Sequence, residues 1–183
     1  VVAGSCWAGS QVQINSYSVT ETFSESHPSV RTLRLVERKL NGLIPLEISL
    51  SARDPDQFLD PEIFHRVLEI EDFAREMPGV LSVQSYADLV RVVLVHWPGR
   101  RVSETDRELV PAGETGHKRL ARTTGFISKF SDSFRFDSYL TADGQRARVR
   151  IRLAEIGSRQ TLLLLNQLEA RLATIFPADR KYT

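Results

Sequence analysis

Four arginines at alternate positions, Arg146, Arg148, Arg150 and Arg152, are the most chemically unusual feature of this 183-residue chain. In an extended segment they point to one face, and Ala147, Val149, Ile151 and Leu153 point to the other. Four guanidiniums on one face repel one another unless water or carboxylates separate them. Glu47, on a second alternating segment, is the candidate partner. A sheet with helices on one side would leave such a face to solvent. The sharper reading is a docking face for another subdomain or for acidic groups.

The remaining reactive side chains point to no reaction. His27, His65, His96 and His117 are far apart in sequence, and only His65 has carboxylates at helical spacing, Glu62 and Glu69. That geometry could hold a metal, but a surface charge cluster accounts for it as well. Asp54, Asp56, Asp60 and Glu62 crowd the start of a helix, where capping and the helix dipole explain them; their spacing is not that of an EF-hand. Cys6 has no base nearby to activate it, and as the single cysteine it excludes an internal disulfide framework and a cysteine-based zinc site. Phosphate-cradling glycine loops, HExxH and GxSxG are all absent. The expectation is a domain that is not an enzyme and holds no cofactor and no metal.

The chain is long enough for one domain with a real core. Its net charge of +1 gives no global case for nucleic acid or an anionic membrane. No apolar run reaches the ~20 residues needed to span a bilayer.

The elements that would position the arginines follow from periodicity. Ile44, Leu46, Ile48 and Leu50 alternate with Pro45, Glu47, Ser49 and Ser51, the pattern of a half-buried strand. Asp60-Pro61 opens a helix whose apolar side is Ile63, Phe64, Val67, Leu68, Ile70, Ala74 and Met77, and Pro78-Gly79 stops it. Val80 to Tyr86 reads as a second strand, completing a βαβ unit with a right-handed crossover. Before this unit, residues 1–27 form a lead-in, in which Gln11 to Val19 reads as extended. His27-Pro28 then opens a helix with a Val30, Leu33, Val36, Leu40 stripe, a basic face of Arg31, Arg34, Arg38 and Lys39, and a stop at Gly42. That basic face reads as solvated. After the unit, Ala87 to Trp97 reads as a helix capped by Ser85, Pro98 to Gly116 as a mobile surface loop, and His117 to Phe130 as a further helix. Together they make an inserted arm over about 87–132. Phe136, Ser138 and Leu140 alternate as a strand from Phe134, and Asp143-Gly144 turns it into the arginine strand. A last helix, capped by Ser158, presents Leu162, Leu165, Leu168, Leu172 and Ile175, widened by Leu163 and Leu164, and ends at Pro177. Without the arm this is an α+β, ferredoxin-like β-α-β-β-α-β order over 28–183. Its fourth strand, beside the first, would begin at Lys181, Tyr182 and Thr183.

A Gly-x-x-Pro-Leu-Glu strand (residues 42–47), a long amphipathic helix, Pro-Gly-Val (78–80) and Ser-x-x-Asp-Leu (85–89) occur in that order, followed by an Asp-Gly hairpin into a strand over 140–153. This order resembles the extracytoplasmic (periplasmic) loop domain of RND-superfamily exporters, in the MMPL-like and hopanoid- or sterol-transporter-like branch. The resemblance runs from about Val12 to the C-terminus, and the stretch 14–28 is more similar to the second of the two related loops. It implies a porter-type fold and a parent protein in the inner or plasma membrane, moving lipid-like or other hydrophobic molecules with proton-motive force. Its partners would be the other loop domain, the membrane helices and the hydrophobic substrate, with homo-oligomerisation also open. Residues 1–10 would be the outer end of a membrane helix or a frayed terminus, and the basic first helix could lie beside the membrane or a neighbouring loop domain.

Two other function classes fit the same fold pattern. An RNA-recognition module would stack bases on aromatics of its central strands, but LIPLEISL and RARVRIRL contain none and the RNP1 pattern is missing; no nucleic-acid partner is expected. A small-molecule-binding or adaptor domain remains open as the alternative.

Overall fold

The arginine segment is the middle of the structure. A computed structural model describes residues 22–96, 109–129 and 136–176. Among these are five α-helices and a three-stranded antiparallel sheet. In chain order the elements are α1 (Pro28–Leu40), β1 (Ile44–Ser51), α2 (Pro61–Glu76), β2 (Val80–Gln84), α3 (Tyr86–Val95), α4 (Glu114–Ser128), β3 (Arg146–Leu153) and α5 (Ser158–Ile175), with single 3-10 turns at Gln57–Leu59 and Phe136–Ser138. The strand order is β1-β3-β2.

β1 pairs with β3 along its whole length, from Ile44 opposite Leu153 to Ser51 opposite Arg146. β2 pairs with the other edge of β3, from Val80 opposite Leu153 to Gln84 opposite Arg150, with a bulge between Val80 and Ser82. β1 and β2 therefore run parallel without touching. The strand-helix-strand unit read from the sequence exists, but it is split by β3.

Local signals explain most element boundaries. The Asp60 carboxylate accepts the Glu62 N–H at 2.7 Å, capping α2 with Pro61 in its first turn. All seven expected apolar positions of α2 are buried. Burying each of the six larger ones is worth about 1.5–3 kcal/mol over leaving it exposed, and Ala74 less. β2 stops at Gln84, short of the expected Tyr86, because the Ser85 hydroxyl accepts the Ala87 N–H and starts α3. Tyr86 goes into the core instead, edge-to-face with Phe58 and Phe64, and its hydroxyl donates to the Phe58 carbonyl at 2.8 Å.

Several expectations need correction. The strand expected from Phe134 to Leu140 does not form within the described residues. Phe136–Ser138 is a 3-10 turn that buries Phe136, and only Leu140 bridges to Ala147. β2 occupies that edge of β3 from Arg150 onward, so just the first residues of β3 remain to pair with the 139–140 arm. The Asp143-Gly144 turn is present, at positive φ, with Gly144 so close to Asp56 that a Cβ would fall 2.8 Å from the Asp56 Cα.

The loop expected over Pro98–Gly116 is not all surface. Residues 98–108 lie outside the described part, but Leu109 and Val110 are core residues. The Val110 carbonyl is hydrogen-bonded to His65 Nε2 and the Leu109 carbonyl accepts from Arg119. Gly116 lets this segment close onto α4, since a Cβ there would sit 1.7 Å from the Pro111 carbonyl oxygen. Helix α4 begins at Glu114, ahead of the expected His117. Thr123 and Thr124, β-branched residues in its middle, are buried with their hydroxyls donated to the Arg119 and Leu120 carbonyls.

Helix α5 is capped at Gly157, at positive φ, with Ser158 as its first residue. Its inward side is Leu164, Leu168 and Ile175; Leu162 and Leu163, read as core, are exposed. The stripe of α1 is likewise open, with only Val30 buried. Gln11–Val19 and the expected strand start at 181–183 fall outside the described residues.

Candidate functional site

β3 separates two environments. Ala147, Val149, Ile151 and Leu153 are buried in one apolar cluster with residues of α2, α3, α4 and α5. Arg146, Arg148, Arg150 and Arg152 occupy the opposite face, the first two exposed and the last two half-buried. The alternation read from the sequence is the one observed, and it brings all four candidate residues onto one face.

The partner foreseen for them is also in place. Glu47 lies directly opposite Arg150 in the β1–β3 register. Its carboxylate receives Arg150 Nε at 3.1 Å and Arg148 Nε at 3.5 Å. Arg152 donates Nη1 to the Leu40 carbonyl at the end of α1, 2.6 Å away. One carboxylate thus serves two guanidiniums and a helix C-terminus takes a third. The face keeps a positive excess, bounded by Ser49, Ser51, Ser82 and Gln84 at neighbouring register positions.

Sequence reasoning missed one member of this face. Tyr139 precedes the hairpin turn, yet its hydroxyl donates to Gln84 Oε1 at 2.9 Å, and the Arg150 guanidinium sits 5.5 Å from its ring centre. Tyr139 is only 8% exposed, so its ring supports Arg150 and offers no platform for stacking a base.

A second charged group lies at the outer edge of β2. A cleft of about 710 Å³ is lined by β2 together with Asp72, Arg75, Asp88 and Arg91. Arg75 is the hub: it reaches Asp72 at 2.8 Å, Asp88 at 3.0 Å and Glu71 at 3.1 Å. Arg91 closes the group through Asp88 at 2.9 Å and Asp72 at 3.9 Å. Glu71 is fully buried. Burial pushes its carboxyl up to about 7, against the pull of the Ser85 hydroxyl and the Arg75 guanidinium. Burial also raises the neighbouring Tyr86 phenol well above its ordinary range, so it remains a hydrogen-bond donor.

The other candidate groups are engaged elsewhere. His27 caps α1, with Nδ1 accepting the Ser29 N–H, while His65 and His117 hydrogen-bond the Val110 and Leu59 carbonyls. Asp60 caps α2. Cys6 lies outside the described residues. Among the described residues no group of three or more histidines, cysteines or carboxylates is arranged to hold a metal, and no helix is long and apolar enough to cross a membrane. The open arginine face is therefore the candidate functional surface. No family model matches the chain, and no curated protein matches it.

Proposed function

We propose that the chain is an extracytoplasmic porter-type domain of a proton-driven RND-superfamily exporter of lipid-like or other hydrophobic molecules, and that it works by docking through its open sheet face. The observation that carries this reading is the strand order. β1-β3-β2, with α2 between β1 and β2 and α5 after β3, is the order of the first three strands and both helices of a ferredoxin-like β-α-β-β-α-β unit. It stands beside the sequence resemblance to the MMPL-like and hopanoid- or sterol-transporter-like branch. An arginine face with one carboxylate for two guanidiniums suits an acidic surface on a neighbouring domain of the same transporter.

The first test is the coding sequence on either side. The reading requires apolar spans of about twenty residues flanking the domain, and their absence on both sides would overturn it. In a full-length protein with transport activity, Arg148→Gln together with Arg150→Gln should lower transport while leaving the folded domain intact. Unchanged transport would leave the fold assignment standing but remove the docking role.

A further inference from the structure

Asn41-Gly42 and Asp143-Gly144 are the two places where this chain sets an asparagine or aspartate directly before a glycine. With no Cβ on the second residue, its main-chain nitrogen meets least hindrance in reaching the preceding side-chain carbonyl carbon. Hydrogen bonds from the Thr141 hydroxyl and the Gln145 N–H hold the Asp143 carboxyl below its ordinary range, so it stays ionised and resists that attack. The Asn41 amide is neutral and exposed, and its side chain has no hydrogen-bond partner among the described residues. The fold nevertheless withholds the reaction. Asn41 closes α1 at φ 52° and ψ 49°, which sets the Gly42 nitrogen anti to the Asn41 Cβ, whereas ring closure needs the two eclipsed. The Gly42 N–H is donated to the Glu37 carbonyl at 3.0 Å. Gly42 is buried so closely that a Cβ there would fall 2.7 Å from the Arg152 Cβ, leaving the main chain no room to turn. Three side-chain hydrogen bonds hold this end of α1 on the sheet. Arg152 and Ser82 donate to the Leu40 and Asn41 carbonyls, and Glu37 Oε1 accepts the Glu155 N–H. Apolar burial adds little, since Val30 alone of the helix is buried. A helix held in this way opens locally at a smaller cost than the core.

We infer that Asn41-Gly42 is a modification site latched by the C-terminal cap of α1, deamidating only when that end of the helix lifts from the sheet. In the lifted state the Gly42 nitrogen loses its proton to solvent base and attacks the Asn41 Cγ. The new N–C bond closes a five-membered succinimide, and the side-chain nitrogen leaves as ammonia. Water then opens the ring at either carbonyl, leaving aspartate or isoaspartate at position 41. Isoaspartate carries one extra carbon in the main chain, so the left-handed cap and the Gly42-to-Glu37 hydrogen bond cannot re-form. Aspartate puts a negative charge at a helix C-terminus, where the dipole opposes it. Each product therefore favours the lifted helix, and a transient opening becomes a lasting one. Lifting also frees the Arg152 guanidinium from the Leu40 carbonyl, adding a donor to the open sheet face. The inference stands apart from the exporter reading, because it concerns only α1 and its cap.

The test is peptide mass mapping of the full chain, incubated in mildly alkaline buffer either folded or unfolded in urea. In urea, position 41 should convert ahead of Asn166, which precedes the bulkier Gln167. In the folded chain, conversion at 41 should be slower by at least about tenfold. Glu37→Ala, which removes the anchor to Glu155, should speed conversion in the folded chain by about fivefold. Ser82→Ala, which removes the longer bond to the Asn41 carbonyl, should speed it less. Converted chains should lose hydrogen-exchange protection in α1 and keep it in β3. Equal rates in the folded and unfolded chain overturn the proposal, as does a lack of conversion at 41 in urea. It is also overturned if both variants, shown to be folded by circular dichroism, convert no faster than the parent, or if α1 stays protected after conversion.

Discussion

The two charged groups of this domain use the same residue types to opposite ends. At the β2 edge, three carboxylates surround two guanidiniums, and one of the acids, Glu71, is wholly buried. On the open face, one carboxylate, Glu47, itself 41% exposed, pairs with two of the four guanidiniums, Arg148 and Arg150. Around Glu71 little water is available to replace a lost partner, so removing Arg75 leaves the buried carboxylate uncompensated until it takes up a proton. Around Glu47 water can replace either partner, and the pairs contribute little to stability. The first group constrains the fold. The second leaves its arginines free to meet something else.

The contrast can be broken most severely at the hub. Arg75→Ala should destabilise the domain by about 3–4 kcal/mol at pH 8, with a smaller loss at pH 5, where Glu71 can take a proton. Urea unfolding at the two pH values measures both. A cost below about 1 kcal/mol at pH 8, the range of exposed pairs, would erase the distinction between the two groups.

Next in size is the proton itself. Glu71 has a folded pKa of about 7 against an ordinary 4.5, so its protonated form is the one the fold prefers. Its contribution is fully present below pH 4.5 and is lost as pH rises through about 7. The shift corresponds to about 3 kcal/mol across that window. Glu71→Gln should remove this component. The difference in stability between variant and parent should therefore grow in the variant's favour from pH 5 to pH 8, and a difference that does not vary with pH would contradict the burial argument.

Smallest are the changes on the open face. Arg148→Gln with Arg150→Gln should shift stability by no more than ~1 kcal/mol, and Glu47→Gln by a similar amount. A loss of several kcal/mol from the double change would mean that the face is a buried network like the first.

Legibility in the sequence follows the same division. β1, β3 and the arginine face were readable because period-two alternation needs no tertiary information, and the opposition of Glu47 to Arg150 follows once the two strands are placed. Caps at Asp60 and Ser85 were readable because their hydrogen bonds are local. The Glu71 group was passed over although a signal existed: Val67, Glu71 and Ala74 share one face of α2, so an acid stands at a core position. What the sequence could not give was competition. The arm from Phe134 alternates like a strand, but β2 holds the edge it would need. On α5, the four consecutive leucines Leu162 to Leu165 leave the inward side undetermined until α2 packs against it, where Arg171 of α5 pairs with Glu69. Leu109 and Val110 were hidden in a polar stretch, and only His65 and Arg119 reveal why they turn inward.

The position of β3 between β1 and β2 has a consequence for the order of events during synthesis. Neither outer strand pairs with the other, and the paired residues of β1 and β3 are about a hundred residues apart at the Ile44–Leu153 end. Both outer strands leave the ribosome well before the strand that joins them. Until β3 arrives, α2 and its neighbours can form local helix contacts, but the strands have no native ladder to enter. A domain of this kind closes late and by long-range pairing, which slows its folding. The growing chain meanwhile exposes two apolar, unpaired strands to whatever else is nearby.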